Sequence, residues 1–391
     1  MERKRNNGSK NSKRKQFDYW SPELGENTEE ILKGLGYNEN DIDYLKREKI
    51  YISINNIWTV KFGILVYPFF AIEMNPREAY EYAYKMIGTA RKVGFDSFFA
   101  SQHFATGPTT QIFQPFPLLA ALSSSYPEMV AGTYMCLAPF YNPVYLAEVS
   151  ATLDVITNGK FILGLAAGYR DKEFEIFGIK KKNRHARLKE IVEILNKLFR
   201  ENEVSYEGKY YKINKVKLSH KPLGNIPIWI GADTEGAISK IPEFADVWAI
   251  SPRHSKKFLE KAVPLFRESM KKYGKEVKEL PLCREMHVAK TDDDAIKNIE
   301  NAFIRTYHGF YHREKQPGER YDLELLQLLE NRAIVGSPDT CIDKLAKYIK
   351  DFGITHVLFR VYWDGLDPEK MVESVRMFGE KVIPYFKEKE I

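Results

Sequence analysis

From about residue 59 onward the chain repeats one pattern: a short strand-like run followed by a helix-like stretch. Eight such runs stand out: 60–67 (VKFGILVY), 95–101 (FDSFFAS), 129–137 (MVAGTYMCL), 160–167 (KFILGLAA), 226–232 (IPIWIGA), 245–250 (ADVWAI), 281–289 (PLCREMHVA) and 354–362 (ITHVLFRVY). Helical patterns lie between them, among others at 76–93, 184–200, 255–273 and 338–351. In 184–200, Leu188, Ile191, Val192, Leu195 and Leu198 recur at steps of three and four, which marks one buried helix face. Strict alternation implies parallel strands, because a parallel neighbour is reached only through a crossover helix. Eight units in roughly 330 residues predict an α/β fold closed into a (β/α)8 TIM barrel. An open dinucleotide-binding sheet would place a glycine-rich loop after its first strand. Here that strand runs into Tyr67-Pro68-Phe69-Phe70 with no G-x-G-x-x-G.

Two segments interrupt the repeat. Residues 203–219 (EVSYEGKYYKINKVKLS) alternate around Glu207-Gly208 and read as a β-hairpin inserted before the fifth strand. Residues 303–333 are long, polar and aromatic, with Pro317-Gly318 in the middle, and read as a lid or flexible loop.

Ahead of the barrel, residues 1–16 hold seven Lys/Arg against the single acid Glu2. The whole chain carries a net charge of +6, so residues 17–391 are balanced. The basic character therefore belongs to a disordered-looking arm, and no specific nucleic-acid partner is expected. Residues 17–56 read as a helical extension, with Asn27 capping one short helix and Asn38 or Asn40 a second. The expected organisation is an arm (1–16), the extension (17–56) and the barrel (57–391).

The arm lacks the apolar centre of a secretory signal, and no apolar run approaches the ~18 residues of a membrane span. Cys136, Cys283 and Cys341 are widely spaced, which fits a reducing compartment. A cytoplasmic protein without a membrane partner is expected.

A barrel of this kind places its chemistry at the C-terminal ends of its strands. His103, in Ser101-Gln102-His103-Phe104, ends the second. It is either a proton-transfer group or a structural histidine, and position alone leaves both open. The fourth strand runs into Gly168-Tyr169-Arg170. The fifth ends Gly231-Ala232-Asp233-Thr234, either an anion-binding turn or an ordinary helix cap. Phe69, Phe70, Phe104, Phe113, Phe116, Tyr141, Tyr169, Tyr362 and Trp363 crowd the same rim, as an apolar mouth or as core packing. There is no H-E-x-x-H, C-x-x-C, Walker loop or G-x-S-x-G, and His308 with His312 lacks a third ligand nearby, so no metal site is expected.

These residues resemble the bacterial luciferase-like, flavin-dependent oxidoreductases over about 60–386. The most specific stretch is NPVYLAEVSATLDVITNGKFILGLAAGYRDKEFEIFGI (142–179), supported by Tyr206-Glu207-Gly208-Lys209-Tyr210-Tyr211, Pro227-Ile228-Trp229-Ile230-Gly231-Ala232 and Val335-Gly336-Ser337-Pro338. The resemblance implies FMN, or a deazaflavin in some relatives, at the barrel mouth. It also implies a monooxygenase that uses reduced FMN and O2 on a hydrophobic small molecule, with a separate flavin reductase and a possible homodimer. The alternatives are a deazaflavin-dependent dehydrogenase or reductase, and a non-catalytic flavin-binding protein. His103 then takes a proton-transfer role, and Tyr134-Met135 falls where relatives carry a non-proline cis peptide beneath the flavin ring. Gly168, Tyr169, Arg170, Gly231, Ala232, Asp233 and Thr234 fall among the cofactor-binding positions. Two departures stand out. Gln102-His103 replaces the paired histidines of the luciferases, and Ala167 replaces a phosphate-binding arginine. Residues 21–50 resemble the extreme C-terminus of class III CoA-transferases. None of that enzyme's body is present, so the segment reads as a fusion remnant or a docking hairpin.

Overall fold

The computed structural model describes residues 33, 38–42, 60–66, 74–106, 111–311, 319–363 and 365–387. The basic arm, the first helix of the extension, Phe69, Phe70, His312 and Pro317-Gly318 lie outside these residues, as does most of 21–50. Contacts divide the chain into two units, Met1–Trp58 and Thr59–Ile391. In the first unit, Asn38 caps residues 39–42: its Oδ1 accepts from Asp41 N–H at 3.0 Å, and Asp41 Oδ2 accepts from Asn38 N–H at 3.1 Å. This reciprocal pair is a capping box, with an aspartate in place of the usual glutamate or glutamine.

The second unit is the barrel. Its strands are β1 (Lys61–Val66), β2 (Ser97–Ala100), β3 (Val130–Thr133), β4 (Cys136–Leu137), β5 (Phe161–Ala166), β6 (Val204–Glu207), β7 (Lys212–Val216), β8 (Ile228–Gly231), β9 (Val247–Ala249), β10 (Pro281–Val288), β11 (Ala333–Gly336) and β12 (His356–Arg360). The parallel order β1-β2-β3-β5-β8-β9 is continued by the single bridge Ile250–Leu282 to β10, and β10 pairs β12, which pairs β1. The ring is closed. All eight predicted strands are present, the third broken into β3 and β4 at the cis peptide Tyr134–Met135.

β11 was not foreseen. It falls where a loop ending in a turn was expected, and pairs only the far half of β10, Glu285–Val288 against Ala333–Gly336. The rest of the predicted late loop also carries structure: a π-helical turn, Arg305–Tyr311, and a helix, Leu325–Arg332. The hairpin β6–β7 is present, and its tip is held by Glu190, whose carboxylate accepts from the main-chain N–H groups of Lys209, Tyr210 and Tyr211.

Helices form where local signals agree. Asn75 and Asn142 each cap a helix that opens on proline, Pro76–Lys92 and Pro143–Ile156. Helix Arg184–Arg200 buries Leu188, Ile191, Val192, Leu195 and Leu198, the face expected, and adds Ile194 and Phe199. Two acids of the family-like stretch have structural work. Glu148 accepts from Ser219 N–H and Asp154 from Leu223 N–H, pinning the segment that leads into β8. No described helix is long and apolar enough to cross a membrane.

Inside the ring, Leu65, Phe99, Tyr134, Ile162, Trp229, Ala249, Cys283 and Leu358 form one cluster, with Phe99 stacked on Trp229 at 5.1 Å. His356 closes its lower end, sharing a 2.7 Å hydrogen bond with Ser97 Oγ and meeting the edge of Trp229. Burial pushes the His356 imidazole down to about 3, and His287, also buried, down to about 4. Both are neutral in the fold, whereas the unfolded chain binds their protons below an ordinary value near 6.5. Stability contributed by these groups is therefore full near neutrality and lost as pH falls from about 6.5 toward the folded values. Lowering pH from 7 to 5 should remove about 2 kcal/mol per histidine. Urea unfolding at the two pH values should show this loss, and His356→Asn should abolish about half of it; an unchanged pH dependence in that variant would contradict the assignment.

Candidate active site

β2 ends at Ala100, and the next residues are locked by amide side chains. Gln102, almost fully buried, accepts from Leu137 N–H at 2.9 Å and donates to Gln114 Oε1 and to the Tyr141 hydroxyl. Gln114 in turn donates to the carbonyl of His103 at 3.0 Å. The backbone on both sides of His103 is thereby held while its imidazole stays accessible, with the side chain 12% exposed.

That imidazole meets the turn after β5. Gly168, at φ +77°, lets the chain reverse there. Tyr169, Arg170 and the short helix Asp171–Ile176 follow. Glu173 Oε1 lies 2.8 Å from His103 Nδ1 and accepts from Phe104 N–H at 2.9 Å, with Arg170 Nη1 at 3.9 Å. An ionised carboxylate only accepts, so this pairing assigns the proton of the neutral ring to Nδ1. Nε2 is left as the acceptor, and the Tyr169 hydroxyl stands 3.4 Å from it. The two rings meet edge to face at 5.5 Å.

The third part comes from the ends of β8 and β9. The Arg253 guanidinium lies 4.5 Å over the Tyr169 ring and donates to Asp233 Oδ2 at 2.9 Å. His254 Nε2 lies 3.3 Å from the other oxygen of Asp233. Asp233 opposes an anion site when considered alone, but here it is balanced by a neighbouring cation. Thr234 caps the four-residue helix Glu235–Ile238, and the Ala232 carbonyl accepts from Trp248 Nε1–H.

Beneath these groups Met135 packs into the gap left by two glycines. A Cβ on Gly231 would approach Met135 Cγ to 2.9 Å, and one on Gly164 would come within 2.0 Å of the Thr133 carbonyl. Tyr134 points into the barrel and donates to the Ile250 carbonyl at 2.7 Å. Of the residues singled out from sequence, His103, Tyr169, Arg170 and Asp233 thus converge in one network. Tyr134 and Met135 pack with the cluster inside the ring, Gly231 makes room for Met135, Gly168 shapes the turn, and Ala232 and Thr234 serve neighbouring structure.

Other candidates go elsewhere. His287 is buried between Asn298 and Trp363. His308 bonds to the Leu323 carbonyl. Among the described residues no group of His, Cys, Asp or Glu is arranged to hold a metal. Trp363 and Phe116 belong to the core. Phe104, Phe140 and Phe177 pack on one another, with Phe104–Phe177 and Phe140–Phe177 centroids both at 4.7 Å, and form an apolar wall beside His103. A cavity of about 610 Å³ opens at the opposite, N-terminal end of the strands, among Lys61, Asp96, Val130 and Lys160, away from this chemistry.

Glu173 and Arg253 were missed by the sequence reading. Glu173 lies in the short helix just after Tyr169-Arg170, inside the most specific family-like stretch, and its place in that stretch is a usable signal. Arg253 carries no local signal, because its role arises only where β8 and β9 meet.

The comparisons with known proteins agree with this architecture. The model of the family described as luciferase-like monooxygenase matches residues 60–356. An F420-dependent glucose-6-phosphate dehydrogenase of Microbacterium testaceum is 26% identical, over 75% of this chain and 90% of that protein. The alkanal monooxygenase alpha chain of Aliivibrio fischeri is 24% identical, over 76% of this chain and 91% of that one. The crystal structure of monooxygenase RslO1 from Streptomyces bottropensis superposes with a TM-score of 0.74 at 20% identity, covering 84% of this chain and all of that one. With the family model spanning most of the barrel, the chain belongs to the luciferase-like monooxygenase family, whose relatives include flavin- and F420-dependent oxidoreductases.

Proposed function

We propose that the chain is an oxidoreductase that moves a hydride between a small organic substrate and a deazaflavin held at the barrel mouth, with His103 handling the accompanying proton. The observation that carries this reading is the His103–Glu173 pair. It leaves Nε2 as the ring's acceptor nitrogen, next to a hydroxyl that can pass a proton on. When an alcohol is oxidised, its O–H proton goes to Nε2 while Glu173 stabilises the resulting imidazolium. The carbon-bound hydrogen leaves with its electron pair. The bound cofactor supplies the two-electron acceptor.

The residues present fit such a group. Ser101 Oγ, just past β2, and Glu173 Oε2 are enclosed and make no hydrogen bond within the protein, so the mouth has polar atoms to offer a ligand. Arg170 brings a guanidinium for an anionic tail and Tyr169 a flat face.

A second reading, reduced FMN with O2 and a separate reductase acting on a hydrophobic substrate, is favoured by the Phe104–Phe140–Phe177 wall. Such an apolar surface next to His103 suits a hydrophobic substrate.

Fluorescence titration with F420 and with FMN should give a micromolar dissociation constant for F420. Anaerobic reduction of bound F420 by a panel of small alcohols should follow. Turnover that requires reduced FMN and oxygen would replace the first reading by the second, and failure of both cofactors to bind at micromolar concentration would remove both. In the active assay His103→Asn should lower kcat by about 100-fold or more, with cofactor affinity nearly unchanged. Glu173→Ala leaves Phe104 N–H and His103 without their acceptor and should cost about 2 kcal/mol in denaturant unfolding. Glu173→Gln keeps a carbonyl acceptor and should cost less; equal losses in the two variants would show that the hydrogen bonds are not what Glu173 provides.

A further inference from the structure

The loop between β9 and helix Lys256–Lys272 carries Arg253, and a distant part of the chain grips its backbone. Arg332, the last residue of helix Leu325–Arg332, donates from Nε to the Arg253 carbonyl at 3.1 Å. The same guanidinium pairs through Nη2 with Glu319. Glu319 Oε1 accepts from Ser255 N–H at 2.9 Å and from Ser255 Oγ–H at 3.1 Å. Both side chains are almost completely enclosed, 1% exposed for Arg332 and 3% for Glu319. The Tyr321 ring lies 5.2 Å from the Arg332 guanidinium and covers it.

From Arg253 the contacts continue without a break. Its guanidinium covers Tyr169 and holds Asp233, and the Tyr169 hydroxyl reaches His103 Nε2. We propose that Glu319 and Arg332 are positioning residues: by clamping the main chain at Arg253 and Ser255 they hold Arg253 over Tyr169, and so set the surroundings of His103. The proposal rests on the reading of His103 as the proton-handling group. Neither residue of the pair touches His103; their effect passes through Arg253.

A clamp serving only the late segment would have no reason to grip this loop. Arg332 could pair with any acid, and Glu319 with any cation. Instead the two split their hydrogen bonds between each other and the carbonyl and amide that flank His254. Breaking one member of a buried ion pair is costly, because the other is left enclosed and uncompensated. The pair therefore has essentially one geometry, and the loop inherits it.

The test uses no cofactor, so it stays decisive even if the functional reading fails. The full-length protein is labelled with 13C at histidine Cε1, and the His103 resonance is assigned by its loss in His103→Asn. The His103 ring sits at the edge of Tyr169, so any movement of Tyr169 changes the ring-current shift it feels. Glu319→Gln should displace the His103 signal, and so should Arg253→Ala. His287 and His356, buried elsewhere, should keep theirs and report an intact fold. In the Arg253→Ala background, Glu319→Gln should add nothing further. If Glu319→Gln fails to fold, Glu319→Asp, which keeps the charge but shortens the reach, carries the same test. A folded Glu319 variant with an unmoved His103 signal would overturn the proposal. So would an Arg253→Ala protein whose His103 signal is unmoved, or a double variant whose shifts simply add.

Discussion

Every strand of the ring runs parallel to its neighbours, and that directionality organises the molecule. A parallel strand is reached only by crossing back over a helix, so all eight carboxyl ends are delivered to the same rim. Residues as far apart in sequence as His103, Glu173, Asp233 and Arg253 meet there because β2, β5, β8 and β9 lie on one arc of the ring. β10 shows what the arrangement costs in sequence: eight consecutive buried residues, packed on the barrel interior from one face and on helices from the other. Glu285 and Arg360 lie within this enclosed region as a buried ion pair, with the Tyr307 hydroxyl donating to the carboxylate.

A second device recurs in the loops. Carboxylates reach across from one element to main-chain N–H groups of another: Asp96 to Phe62, Asp154 to Leu223, Glu173 to Phe104, Glu190 to the hairpin tip, Asp292 to Ser337 and Glu319 to Ser255. Each satisfies a main-chain donor that would otherwise be left unpaired, and a charged acceptor makes such a bond stronger than a neutral one. Asp292 shows the electrostatic trace of this use, its carboxyl held below the ordinary range by the Ser337 N–H bond above all. Several segments of this barrel are thus tied down by acids, and the turn beside His103 is one of them.

This division explains what could be read in advance. The eight strands and the face of helix Arg184–Arg200 follow from hydrophobic periodicity, a local property, and they were legible. So was His103, because a strand end is a place the pattern itself locates. β11 was not, since Ala333–Gly336 becomes a strand only because the far half of β10 offers it an edge. Arg253, Glu319 and Arg332 were also invisible as a group. Their contacts join residues 64 and 79 positions apart, and no spacing along the chain encodes them. The family-like stretch, for its part, mixes two kinds of residue. Glu148 and Asp154 staple the segment that leads into β8, whereas Tyr169 and Glu173 meet His103 and Arg170 stands by Glu173.

The grip of Arg332 and Glu319 has one more property, which concerns how such a protein diversifies. Arg332 binds a carbonyl oxygen at Arg253, and Glu319 binds an amide hydrogen at Ser255, atoms that almost any amino acid supplies. The clamp is therefore largely blind to what the loop displays. The side chain at 253 can be exchanged while the backbone that presents it stays put. A lineage can thus change the group that covers Tyr169 without first rebuilding the support beneath it.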